Sequence, residues 1–187
     1  MLAPAFCFGM IPALKKLYKD KAMLAESFQR HLMFFNTQAV WGGGTLTGVS
    51  ISLEEARAKA LHEGRPEEAV DVTMINNTKI GLMGPLAGIG DAIDSGTVQY
   101  IFIAIFLPFA KAGNGLGAVL PFLCFALSTF IYGFFFTKMG YNLGRGAAKE
   151  IMTGAKMKSV INALGVLGLF MMGIMAAQYV DVSSTLE

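Results

Sequence analysis

Charge is what this sequence has least of. Lys, Arg, Asp and Glu make up 15% of its 187 residues, whereas 54% are hydrophobic and the mean hydropathy is +0.54. Soluble domains carry roughly 25% charged residues, because water must be met by a polar shell. A chain so short of charge cannot cover its own surface as a free particle, so its apolar residues call for lipid or partner surfaces. The net charge is only +2, and no Lys/Arg-rich block is interleaved with aromatics, which leaves nothing suited to nucleic acid. The two cysteines, Cys7 and Cys124, lie far apart in apolar runs without metal-ligand spacing, and read as buried, membrane-facing thiols. Two histidines, His31 and His62, are too few for a histidine-rich metal centre, and His62 reads as a solvated surface residue. No phosphate loop, GxSxG or HExxH occurs, and Gly88-Ile89-Gly90 lacks the Lys-Ser/Thr that would follow in a phosphate loop, so neither catalysis nor a cofactor is expected of this chain alone. The apolar start, residues 1–14, has no basic stretch before it and no small-residue cleavage site, and is not read as a signal peptide.

What is present is glycine, 22 residues of it, and long uncharged runs. Residues 112–137 and 159–180 each exceed the 18 to 20 apolar residues that cross a hydrocarbon core as a helix, at about 1.5 Å rise per residue. Both are expected to be transmembrane helices. The loop between them carries Arg145, Lys149, Lys156 and Lys158 against a single acid, Glu150, which places it in the cytoplasm by the positive-inside rule; the acidic end, residues 181–187, then lies outside.

The first half is less regular. Leu14, Leu17, Tyr18, Leu24, Phe28, Leu32 and Phe35 recur at helical spacing with lysines on other faces, which predicts an amphipathic helix for a membrane surface or a subunit groove. Residues 31–53 are uncharged but interrupted by Asn36, Thr37, Gln38 and Gly42-Gly43-Gly44, which predicts a break shielded by protein, since open backbone facing lipid is costly. Ser52 and Glu55 form a capping-box pattern for a polar helix ending near Gly64, and Pro66 is expected to start another. From Lys79 to Ala110 two apolar stretches flank Asp91 and Asp94, and read as a broken helix or a re-entrant loop with a tilted span. The resulting expectation is an all-α, polytopic membrane protein with transmembrane helices, re-entrant or broken glycine-rich segments and amphipathic interfacial helices. Its parts are an amphipathic helix plus glycine-broken membrane hairpin over 1–51, a polar helical hairpin of scaffolding character over 52–79, and a membrane domain with a broken helix and two transmembrane helices over 80–187.

Asp91 is the sharpest candidate for chemistry. A carboxylate at membrane depth costs several kcal/mol unless it is paired, hydrogen-bonded or wet. It follows Gly84, Pro85, Gly88 and Gly90, whose exposed backbone admits a close neighbour. Two readings stand for Asp91: it caps the following helix or serves packing, or it contacts a substrate; Asp94 is one turn on. A second polar group is His31, Asn36, Thr37 and Gln38, with Trp41, the only tryptophan, as a ring to set against a sugar face. Against that stands a structural role, in which Asn36 and Thr37 satisfy backbone at the break, Trp41 anchors at the interface and His31 is a packing residue.

The strings Pro12-Ala13-Leu14-Lys15-Lys16-Leu17-Tyr18, Arg30-His31, Phe34-Phe35-Asn36-Thr37 and Lys79 through Asp91, with Gly96-Thr97 and Gly113-Asn114-Gly115-Leu116-Gly117, resemble the IID family of mannose/fructose/sorbose phosphotransferase systems. The resemblance implies a permease subunit of the bacterial cytoplasmic membrane that pairs with a IIC membrane subunit, in assemblies similar to trimers of IIC–IID pairs. It implies inward passage of a hexose while cytoplasmic IIA and IIB proteins phosphorylate it, with phosphoenolpyruvate as the original donor. The alternative within the family is a scaffold that holds IIC and touches no sugar; an autonomous ion-coupled transporter is a third reading. Family members are usually longer at both ends, so a shortened product is expected, and Ala92-Ile93-Asp94-Ser95 departs from the family's usual serine and bulky apolar residues before Gly-Thr.

Overall fold

The computed structural model describes residues 2–144; the second apolar run, 159–180, and nearly all of the basic loop before it lie outside the described residues. The fold is all-α, as expected: α1 (Ala3–Leu17), α2 (Lys21–His31), α3 (Trp41–His62), α4 (Val72–Ile93), α5 (Gln99–Lys111) and α6 (Leu116–Leu143), with no strand among the described residues. A 3-10 turn, Pro66–Glu68, precedes α4, and a π-helical stretch, Asp94–Val98, joins α4 to α5. The described residues fall into two compact units, one comprising 2–88 with 132–144, the other 89–131.

In the first unit, the amphipathic pattern seen in the sequence is split between two helices. Asp20 ends the continuity: its side chain accepts from Ala22 N (2.9 Å) and Met23 N (3.0 Å), capping α2 and turning the chain after α1. The break expected at Gly42–Gly44 falls earlier, in the irregular segment 32–40, and α3 then runs unbroken through the three glycines and past Ser52, which caps nothing. The glycines serve packing. Gly44 lies against Gly133 O of α6 at 3.2 Å from where its Cβ would be, and a Cβ on Gly48 would collide with Thr137 O and stand 2.5 Å from Tyr141 N. Gly140 of α6 is reciprocally closed by the backbone of Thr45. Gly44 and Gly48 thus form a small-xxx-small seam that lets two helices touch backbone to backbone. Gly64, at φ +70°, stops α3: Arg65 N reaches Ala60 O (2.9 Å) and Gly64 N reaches Leu61 O (3.2 Å), a left-handed glycine cap.

The core of this unit follows helical register. Phe6, Met10 and Leu14 of α1, Leu46, Val49 and Leu53 of α3, and Ile75, Leu82 and Leu86 of α4 are all buried, at the spacings of three, four or seven residues that keep to one helix face. Pro66 opens only the short turn, and the polar and apolar stretches on either side of Lys79 are parts of one helix, α4, rather than a separate hairpin and a broken span.

In the second unit, α5 returns into α6 through a turn built from the Gly113 to Gly117 string. Gly113 has φ +79°; Asn114 N bonds Phe109 O (3.0 Å) and Gly113 N bonds Ala110 O (3.0 Å), closing α5. Asn114 Oδ1 accepts from Leu116 N (3.0 Å) and so caps α6, while a side chain on Gly117 would strike the α5 backbone at Phe109 and Ala110.

α6 is 28 residues long, about 42 Å at the α-helical rise, against a hydrocarbon thickness of about 30 Å. Its large apolar side chains point outward, with Phe122, Phe130 and Phe134 each 65–67% exposed. A core helix of a soluble protein would be covered; among the described residues most of this one is left bare apart from the face that meets α3, as on a lipid-facing helix. Residues 66–111 form a second helical stretch long and apolar enough to cross a membrane.

Candidate functional site

The densest polar chemistry lies at Glu54, in the first unit. Once α3 is a single helix, Glu54 falls on the buried stripe Leu46, Ser50, Glu54, Ala58, and its side chain is fully enclosed. An isolated carboxylate there would be untenable. Four donors converge on it instead. Arg30 Nε (2.6 Å) and His31 Nε2 (2.8 Å) meet Oε1, and Tyr18 Oη–H (2.6 Å) and Arg30 Nη2 (3.2 Å) meet Oε2. Burial alone would raise the carboxyl's pKa, but the bonds from His31, Arg30 and Tyr18 and the charge of Arg30 outweigh it and hold the group down at about 2. His31 Nδ1 has no partner, so the ring sits as the neutral tautomer that donates from Nε2; a second proton would leave a buried N–H unmet. Lys79, on the buried register of α4 with Ile75 and Leu82, donates to the Arg30 carbonyl (2.8 Å) and lies 5.8 Å from the Phe6 ring centroid. Four helices are tied at one point by these groups.

The sequence-predicted residues fall into two kinds. His31 belongs to the Glu54 cluster and is wholly buried. Thr37 is buried on α4, its hydroxyl donating to Met83 O (3.1 Å), and Asn36 N approaches Met83 Sδ (3.2 Å), so the irregular segment is laid onto the helix that carries the Gly84–Gly90 string. Gln38 Oε1 accepts from Val40 N (2.8 Å) and Trp41 N (2.6 Å), supplying the opening of α3 with the acceptor it lacks. Trp41 is buried with its ring 4.2 Å from that of Phe136, so its indole packs against α6. These four side chains are engaged within the chain. The side chain of Asn36 is exposed.

Asp91 is exposed on α4 within the second unit, and Asp94, in the π-helical stretch, is buried. Asp91 is not at a helix start: α4 continues through it to Ile93, so the capping reading of Asp91 does not hold. Of the glycine string, Gly81, Gly84 and Gly88 have open space where a Cβ would stand, and Pro85 is exposed beside them. The two cysteines are free thiols; Cys7 is buried and Cys124 half-buried.

Residues 1–187 match the family model described as the PTS system mannose/fructose/sorbose family IID component. Among curated proteins, the chain is 36% identical to the mannose-specific EIID component of Escherichia coli strain K12, over 98% of this chain and 62% of that protein. It is 35% identical to the sorbose-specific EIID component of Lacticaseibacillus casei (97% and 61%) and to the fructose permease IID component of Bacillus subtilis strain 168 (97% and 62%). Among solved structures it is similar to a chain of the cryo-EM complex of the mannose transporter ManYZ with microcin E492, at 36% identity and a TM-score of 0.68, covering 96% of this chain and 63% of that one. A second, titled only as the structure of a membrane protein, gives 37% identity and a TM-score of 0.79, with 94% and 62% covered. The chain therefore spans about three-fifths of the length of these relatives.

Proposed function

The chain belongs to the mannose/fructose/sorbose family of PTS IID components, and from that premise we propose that it is a membrane permease subunit working with a IIC subunit. The pair brings a hexose inward while cytoplasmic IIA and IIB proteins carry the phosphoryl group, so the chain is not itself a catalyst. The family match along residues 1–187 is the observation that carries this reading. The bare apolar surface of α6 supports it from physics, since lipid or a sister membrane subunit is what such a surface requires. The location is the bacterial cytoplasmic membrane, crossed more than once, and the assembly is a trimer of IIC–IID pairs. Sugar contact falls to Asn36 and Asp91, the two predicted residues whose side chains are exposed.

One observation favours the scaffold reading as the second choice. Thr37, Gln38, His31 and Trp41 spend their polar groups or rings on this chain's own helices. The test is reconstitution: the chain expressed with IIC, IIA and IIB in a host lacking its own systems, with phosphoenolpyruvate-dependent uptake of labelled hexose measured. Uptake that needs all four components supports the proposal. Full uptake without this chain, or gradient-driven uptake by this chain alone, overturns it.

A further inference from the structure

Asn36 stands between two residues that are fastened down. Phe35 and Thr37 are buried and Asn36 is exposed, the alternation of an extended backbone. Phe35 stacks on Phe6 at a centroid distance of 4.1 Å. Thr37 is seated on the bare Cα of Gly42, where a Cβ would lie 2.0 Å from Thr37 Oγ1 and 2.9 Å from both its Cβ and its Cγ2. The peptide between these anchors is held by Met83, whose sulfur accepts from Asn36 N (3.2 Å). Met83 is buried on α4, whereas Gly84 and Pro85, next in sequence, are exposed.

Neither restraint is what helix packing alone would select. Leucine fills the volume of methionine, so what the sulfur adds is an acceptor, weak but placed, for a main-chain N–H outside any helix. Alanine favours a helix over glycine, yet a methyl at position 42 would meet a β-branched side chain whose χ1 has little freedom to turn away.

We infer that Gly42 and Met83 are positioning residues, which hold the Asn36 amide in one place for the sugar; this rests on the sugar-contact reading of Asn36 above. A hydrogen bond weakens steeply as its angle drifts, and a binding group must be held to within about 0.5 Å of its productive place. A side chain on irregular backbone meets that demand only if its main chain is fixed. Met83 fixes the peptide of Asn36, and Gly42 leaves the space that seats its neighbour.

The chain is reconstituted with IIC, IIA and IIB, and initial phosphoenolpyruvate-dependent uptake of labelled mannose, fructose or sorbose, whichever the system carries, is measured against concentration. Rates are expressed per subunit co-purified with IIC. Asn36→Ala raises the apparent KM roughly 2- to 10-fold, the loss of one neutral hydrogen bond. Met83→Leu and Gly42→Ala raise it within the same limit and add nothing in the Asn36→Ala background, because they act through that amide. A purely structural role would lower the amount of assembled subunit and leave the apparent KM at the wild-type value. Met83→Leu keeps the side-chain volume and the Thr37 bond to Met83 O, so it decides the matter if Gly42→Ala fails to assemble. An unchanged KM in Met83→Leu where Asn36→Ala raises it, or a full further rise when the two are combined, overturns the inference. Wild-type kinetics in Asn36→Ala itself remove the sugar contact, and the positioning role with it, which is a separate result.

Discussion

Arg30 Nε stands 2.6 Å from Glu54 Oε1 where neither side chain is more than 6% exposed. A desolvated pair of this kind gains little net stability over an apolar replacement, but removing one partner strands the other, at a cost of about 3–5 kcal/mol. Arg30→Ala is therefore expected to lower the stability of the detergent-solubilised protein by that amount, read from its denaturation midpoint. Arg30→Met with Glu54→Leu recovers part of the loss, because the carboxylate is no longer stranded without its guanidinium partner. A melting curve for Arg30→Ala that overlays the wild type would show that the pair is not buried.

The same cluster sets an acid limit. The Glu54 carboxyl is held at about 2 against an ordinary 4.5. A lowered folded-state value means the stabilisation is complete above pH 4.5, shrinks as pH falls through the interval and is gone below about pH 2. Its full size is about 3 kcal/mol, from the width of the gap. Thermal midpoints measured from pH 7 to pH 3 should fall more steeply below pH 4.5 for the wild type than for Glu54→Gln, which has no proton to take up. Parallel curves would remove the carboxylate from the account.

The helical, membrane character of the chain was legible because it rests on composition and run length, which need no partner. The Glu54 cluster was not. A capping-box reading of Ser52 and Glu55 placed Glu54 in a first turn, where an acid is unremarkable, and so broke the register that puts it in line with Leu46 and Ala58. Lys79 was taken as the edge of an apolar run, although its spacing from Ile75 and Leu82 sets it on the buried face of α4. Tyr18, Arg30-His31 and Lys79 had marked the family as separate strings; only the fold brings Tyr18, Arg30 and His31 to one carboxylate, with Lys79 on the Arg30 carbonyl beside it. Glycine misled for a different reason. A glycine that breaks a helix and one that admits a neighbouring helix look alike until the neighbour, here Gly133 to Tyr141 of α6, is in place.

That ambiguity becomes an experiment. Gly48→Ala forces a methyl into Thr137 O and the Tyr141 backbone, and overpacking of this kind costs about 1–3 kcal/mol or more where the obstacle is backbone. Gly84→Ala meets nothing within 4 Å. Limited proteolysis and thermal unfolding of the purified chain should thus show Gly48→Ala destabilised and Gly84→Ala unchanged or slightly firmer, since alanine favours the helix. Equal losses in both would mean that α3 and α6 do not meet along this seam.

The sharpest separation of the transport and scaffold readings comes from residues that differ in how they are engaged. Thr37 bonds Met83 O on α4, so Thr37→Val should lower stability by about 1 kcal/mol through the lost hydroxyl bond. Any uptake defect it shows should follow the amount of folded subunit. Asn36 and Asp91 have exposed side chains, so Asn36→Ala and Asp91→Asn should leave folding and co-purification with IIC unchanged. If these two side chains hold sugar, phosphoenolpyruvate-dependent uptake falls roughly 10- to 100-fold for Asp91→Asn, the loss expected for a hydrogen bond involving a charged group, and roughly 2- to 10-fold for the neutral Asn36→Ala. The change should appear in the apparent affinity as well as the rate. Uptake kinetics identical to wild type in both variants, with normal assembly, would leave the subunit with no sugar contact at these positions and make the scaffold its role.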